Sequence, residues 1–379
     1  MIRSDVAVSN QGNMEYKNLN VKHNYQKSIQ RQRKIILALC AFISVSCIIV
    51  VILFIQSSMG ERHDVPKSSS AKATEMTGST LSTDVSLSES GTVSTHAQST
   101  LTAEERESMR VALESSLSDK IAAYNGRYSL CYLNLENGEA IVINGSQPMV
   151  AASSIKIAYN TALYQKIELG DFLPENKLAY NSAAYPTGDY EAGTGTIQNS
   201  ADGTEFTISE VSSLSIRISD NCATNMILRL LGGIDVVNSS YMKPISQEVD
   251  YRSSVSYTDY KGLAQSGRHR TSAVDLAKFA QQLYDLYNAN PTVYQPLIDD
   301  LSNTDYSWGI ASGVSSGTIV AHKVGFNSAY GVNNDVAIVF GLEDYALCIM
   351  TETGDDATAK ANIKELASMV DSFIVSCNT

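Results

Sequence analysis

Ile35 to Ile55 reads IILALCAFISVSCIIVVILFI, 21 residues without a charge. At about 1.5 Å per residue, a helix of that length matches a hydrocarbon layer of roughly 30 Å. The run is therefore expected to form one transmembrane helix. A cleaved signal peptide has a shorter apolar stretch followed by a small-residue cleavage site, and QSSMGERHD after Ile55 offers no clean site. Lipid attachment at Cys40 or Cys47 is disfavoured because the apolar run continues past both. Residues 1–34 carry seven Lys/Arg against Asp5 and Glu15. A basic flank stays in the cytoplasm, so everything after Ile55 should lie outside, on a single-pass cell-membrane protein.

The chain's net charge is -12 although its head is basic, so the remainder is more acidic than the total. An acidic body has no use for a phosphate backbone, and nucleic acid is excluded as a partner. Residues 56–101 are rich in Ser and Thr, with few large apolar side chains to offset the entropy of ordering them. They read as a spacer without a fold. The folded body is then 102–379, and with 44% apolar residues overall the chain can fill a sizeable core. It contains Cys131, Cys222, Cys348 and Cys377. An oxidising exterior permits bridges, but the spacing shows no C-x-x-C pattern, so free thiols and disulfides both stay open.

Along that body, TAEE at Thr102–Glu105 has the form of a capping box opening a helix to about Tyr124. RYSLCYLNL and EAIVIN around an ENG turn predict a hairpin. A long, mainly helical region follows from Ala151 to about Asp300, with a second capping box at Thr207–Glu210, a helix end at RLLGG, and helical periodicity in SAVDLAKFAQQLYDLY. Three strands are predicted in GTIVAHKVGF, NDVAIVFGL and DYALCIMTET, then a last helix in ATAKANIKELASMVDSFIV. Two strands, a helical insert, three strands and a helix suggest an α+β fold in which helices cover an antiparallel sheet beside an all-helical lobe. A cleft is expected where the lobes meet.

The chemistry starts at AASSIKIAYN, where Ser153 stands three residues before Lys156. A serine hydroxyl needs a base to act as a nucleophile near neutral pH. The folded body holds only two histidines: His269, in the basic loop GRHRTS, and His322, which adjoins Lys323 on a strand and so points to the opposite face. A Ser-His-Asp triad is poorly supported. A lysine can be the base if burial and a nearby cation lower its pKa. Residues i and i+3 share a helix face, which sets Lys156 beside Ser153. S-x-x-K alone is weak, since it recurs at Ser69 in the spacer and at Ser240. The sequence also has one SDN, Ser219 to Asn221, at the end of a predicted helix, and one HKVG, with Lys323 to Gly325 on a predicted strand. Alone, SDN reads as a helix-ending turn and Lys323 as a solvent-facing strand residue. Three motifs in this order form a specific signature.

On these motifs the stretch from about residue 104 to 379 resembles the class A β-lactamases and other penicillin-recognising serine hydrolases. The resemblance implies a β-lactamase/transpeptidase-like fold, with a five-stranded antiparallel sheet flanked by helices and the active site between it and the helical lobe. It implies that Ser153 is acylated, Lys156 takes its proton, and Ser219 relays a proton to the leaving nitrogen. Asn221 would hold the substrate's side-chain amide and orient Lys156. Lys323 would supply positive charge for the substrate carboxylate and help keep Lys156 neutral. The oxyanion would be held by the backbone N–H of Ser153 and that of Phe326, beyond Val324 and Gly325.

Two departures stand out. Val324 occupies the position where the family carries Thr or Ser to contact the substrate carboxylate. The family's deacylating glutamate, in E-x-x-x-N between the second and third motifs, has no match. Glu248 has Arg252 four residues on, and Asp250 and Asp259 lie in the region without the motif. Losing a general base is typically worth about 10² to 10⁴ in rate, so hydrolysis is expected to depend on whether one of these carboxylates substitutes. The leading expectation is a β-lactamase-like hydrolase acting as a monomer on cyclic amides, without metal or cofactor. The alternatives are a D-alanyl peptidase or penicillin-binding protein acting on peptidoglycan-like peptides, and a β-lactam sensor.

Overall fold

The computed structural model describes residues 101–246, 257–258, 261, 264–265 and 270–379, all within the second of two units into which the chain divides, 91–379. The basic head, the Ile35–Ile55 run and nearly all of the spacer lie outside the described residues. Among the described residues, no helix is long and apolar enough to cross a membrane.

Thr102 and Glu105 close the expected capping box: the hydroxyl accepts the Glu105 N–H at 3.2 Å and the carboxylate accepts the Thr102 N–H at 2.8 Å. Helix α1 (Ala103–Ala123) begins there. Strands β1 (Arg127–Asn134) and β2 (Ala140–Ile143) form the hairpin. Asn134 makes its turn by accepting the N–H groups of Glu136 and Asn137. Strands β3 (Ile319–Asn327), β4 (Val332–Phe340) and β5 (Tyr345–Glu352) complete a five-stranded sheet, in the order β2-β1-β5-β4-β3 and antiparallel at every pairing.

Both faces of this sheet are covered, so its central strands read as continuous apolar runs rather than as an alternation. Tyr128, Leu130 and Tyr132 pack with Leu117 of α1 and with Ile363, Leu366 and Val370 of the closing helix (Asp356–Cys377). Cys131, Val336 and Cys348 face the other way, into the core shared with the helical lobe. All four described cysteines are buried free thiols.

That lobe is built from α2 (Lys156–Glu168), α3 (Ile208–Arg217), α4 (Asn221–Leu230), α5 (Ala273–Ala289) and α6 (Pro291–Ser302). It is less purely helical than the sequence suggests. Lys177–Ala179 pairs with Glu205–Thr207, and Met149–Val150 pairs with Arg270–Thr271. Such two- and three-residue ladders leave no periodic trace in sequence. A buried polar network joins three lobe helices: Asn160 donates to Lys156 O (2.9 Å) and Ser215 Oγ (3.1 Å), Ser212 donates to Asn160, and Ser215 meets Thr224.

Candidate active site

Ser153 and Lys156 are not on one continuous α-helix. Ala152–Ile155 is a 3₁₀ turn, α2 starts at Lys156, and the Lys156 N–H donates to Ser153 O. The turn that carries Ser153 therefore leads directly into the first residue of α2, Lys156. Ala152 enters the turn at φ 46°, a left-handed conformation that costs a non-glycine residue on the order of 1–2 kcal/mol. The sheet holds the approach to this turn. Asn334 on β4 donates to the carbonyls of Val150 (2.8 Å) and Ala151 (3.1 Å), and Glu352 on β5 accepts the Val150 N–H at 3.2 Å.

Gly325 lets β3 pass against the same turn. A Cβ there would sit 2.5 Å from Ser154 N and 2.9 Å from Ser153 N, so only glycine fits without displacing the backbone that carries Ser153.

The SDN motif divides into three tasks. Asp220 is fully buried and accepts the N–H groups of Ala223 (2.9 Å), Thr196 (2.6 Å) and Ile197 (2.9 Å). It caps α4 and ties the 194–197 loop down. Ser219, at φ 58°, and Asn221 both reach Lys156. The lysine Nζ donates to Ser219 O at 2.7 Å, Ser219 Oγ at 3.2 Å and Asn221 Oδ1 at 2.9 Å. Burial pushes the Lys156 amine down to about 7, against the raising influence of Asp220, Glu191 and Cys222. Its proton is thus removable near neutral pH.

Lys323 is completely buried, donates to Val324 O at 3.1 Å, and lies 5.5 Å from the Tyr306 ring centre. Burial first, and then the nearby Lys156 charge, hold its amine well below the usual lysine value, with Asp335 pulling the other way. The expected help of a neighbouring cation in lowering Lys156 is secondary: burial is the leading cause, and the repulsion between the two amines registers on Lys323. His322 meets Asp335 at 3.0 Å and, by strand alternation, faces away from Lys323, as does Val324.

A cleft of about 690 Å³ opens between sheet and lobe, and Ser153, Lys156, Asn221 and Phe326 line it. Ser219, Lys323, Val324 and Gly325 do not line it. The first three of these are buried with 1% exposure or less. Among the described residues no cluster of His, Cys, Asp or Glu could hold a metal. Glu248, Asp250, Asp259 and His269 lie outside the described residues.

Several cleft residues were not singled out in the sequence. Asn225 lines the cleft one helical turn beyond Asn221, a spacing that was readable. Arg270 lines it from the short ladder with Val150, with its guanidinium 5.9 Å from the Tyr330 ring centre. Glu191 and Tyr190 line the lobe side. Asn334 and Glu352 had no sequence signal, because their contribution exists only through contacts across more than 180 residues.

The comparisons with known proteins agree on family and fold. The model of the Beta-lactamase enzyme family matches residues 112–374. A β-lactamase from Proteus vulgaris is 25% identical over 261 residues, covering 66% of this chain and 91% of that protein. The structure of PBP-A superposes with a TM-score of 0.60 at 22% identity, covering 70% of this chain and 96% of that one; a mutant of PBP-A was solved as an acyl-enzyme complex with penicillin G. A variant of the class A β-lactamase of the last common ancestor of Gram-negative bacteria superposes at 0.58 with 21% identity, covering 70% and 99%.

Proposed function

We propose, for a chain that belongs to the Beta-lactamase enzyme family and is a serine hydrolase, that it opens β-lactam amides through an acyl-enzyme on Ser153. The observation that carries this reading is the Lys156 amine: buried, pushed down to about 7, and on the residue that caps the Ser153 turn with its N–H on Ser153 O. In its neutral form it accepts the Ser153 proton as Oγ attacks the lactam carbonyl. The lactam C–N bond then breaks, and the nitrogen takes a proton through Ser219 Oγ, 3.2 Å from the lysine. Asn221 commits Oδ1 to Lys156 and turns Nδ2, held among the described residues by a 3.4 Å contact with Ala192 O, toward a substrate carbonyl.

The oxyanion falls to the backbone N–H groups of Ser153 and Phe326, which Gly325 allows to come together. Losing one such donor typically costs about 2.7 to 4 kcal/mol of barrier. The substrate carboxylate meets positive potential from Arg270 and Lys323, and its arrival favours the charged form of the buried amine. Water completes hydrolysis by attacking the Ser153 ester. Turnover of a chromogenic cephalosporin by the full chain, lost in Ser153→Ala, supports this reading; equal rates in the two proteins refute it.

The 21 uncharged residues Ile35–Ile55 and the basic head before them support single-pass anchoring with this domain outside the cytoplasm. Alkaline carbonate should leave the full chain in the membrane pellet, and external protease should release the 102–379 body from intact spheroplasts. Extraction into the supernatant would refute the anchor.

A further inference from the structure

Glu191 is an exposed carboxylate on the lobe wall of the cleft. Its Oε2 accepts from Asn225 Nδ2 at 3.0 Å, and no hydrogen bond to Oε1 is made among the described residues. The backbone around it is anchored to the substrate-side helix. Ala192 O faces Asn221 Nδ2, the Glu191 N–H lies 3.5 Å from Cys222 Sγ, and Thr194 O accepts the Asn221 N–H at 3.1 Å. Asn221 and Asn225, four residues apart on α4, present one face to the cleft. A group held at Asn221 therefore continues, one helical turn on, toward Asn225 and Glu191. The cation of the wall, Arg270, comes instead from the ladder that pairs it with Val150. The cleft lining thus carries one carboxylate, Glu191, beside the basic groups Lys156 and Arg270.

We propose that Glu191 determines side-chain specificity by recognising a cationic substituent on the acyl side chain, so that the preferred substrates are lactams carrying an ammonium next to the side-chain amide. This rests on the β-lactam reading above. A carboxylate oxygen facing the cleft accepts a charge-assisted hydrogen bond from such an ammonium and repels an anion in the same place. The site is open to water, which limits the gain to that of an exposed pair, at most roughly fivefold in rate.

Three penicillins share one nucleus and differ at a single carbon of the acyl side chain: benzylpenicillin carries hydrogen there, ampicillin an ammonium and carbenicillin a carboxylate. Second-order rate constants for acylation of the full chain, read by intact mass or stopped flow, compare them without depending on deacylation. The parent should rank ampicillin above benzylpenicillin above carbenicillin. Glu191→Gln, which still accepts from Asn225, should collapse the ratios toward one, and Glu191→Lys should reverse them. Ratios unchanged in Glu191→Gln, or a variant that slows all three alike, overturn the proposal. If benzylpenicillin neither forms an adduct with the parent nor is turned over by it, the β-lactam reading has failed and this inference falls with it.

Discussion

Lys156 Nζ and Asn221 Oδ1 are 2.9 Å apart, and this contact makes one side chain serve two tasks. The amide oxygen that orients the lysine fixes which way the amide nitrogen points, so the proton acceptor and the substrate clamp are set together. In Asn221→Asp the new carboxylate would hold the lysine protonated, and in Asn221→Ala the clamp would disappear. Acylation should fall in both, but only Asn221→Asp should shift the pH profile upward. An identical profile in the two variants would contradict the double role.

The Lys156 amine at about 7 fixes the direction of the pH dependence. The neutral amine is the base. The acylation rate constant should therefore rise with pH through about 7 and level off above it, where the amine has lost its proton. An unburied lysine, near 10.4, would give a rate still climbing at pH 9. Acylation followed from pH 5.5 to 9 distinguishes the two.

Gly325→Ala places a methyl 2.5 Å from Ser154 N, against backbone rather than a side chain that can swing away. Either the turn or the strand must move. Overpacking of this kind typically costs about 1 to 3 kcal/mol, and displacement of the oxyanion donors should slow acylation about 10²-fold or more. Acylation rate and thermal midpoint measured on the same sample check both; a variant with parent-like acylation would refute the close approach.

Asp220→Ala removes the acceptor of three backbone N–H groups. Hydrogen bonds to a charged group are each worth about 1.5 to 3 kcal/mol, not additively, so a loss of at least about 3 kcal/mol is expected in urea unfolding. A loss below about 1 kcal/mol would mean that Asp220 does not hold the 194–197 loop.

The hairpin, the capping boxes, the three late strands and the closing helix were legible in the sequence because each is a local pattern of spacing and turn chemistry. Ser153, Lys156 and Asn221 were legible because they travel with short motifs. Arg270 is not legible in the sequence, since GRHRTS offers Arg268, His269 and Arg270 and nothing local says which of the three enters a cleft. The fate of Val324 was also misjudged locally: its position in HKVG suggested a substrate contact, but strand alternation turns its side chain to the His322 face. Glu191, Asn334 and Glu352 matter only through partners far along the chain, and a chain without coordinates cannot pair them.

On this account a β-lactam acylates one atom, Ser153 Oγ. The most direct measurement is intact-mass analysis of the full chain after brief exposure to benzylpenicillin, with peptide mapping of the adduct. One added penicilloyl group on the peptide containing Ser153, absent from Ser153→Ala, is the predicted result. No adduct and no turnover, or an adduct on a different residue, would contradict it.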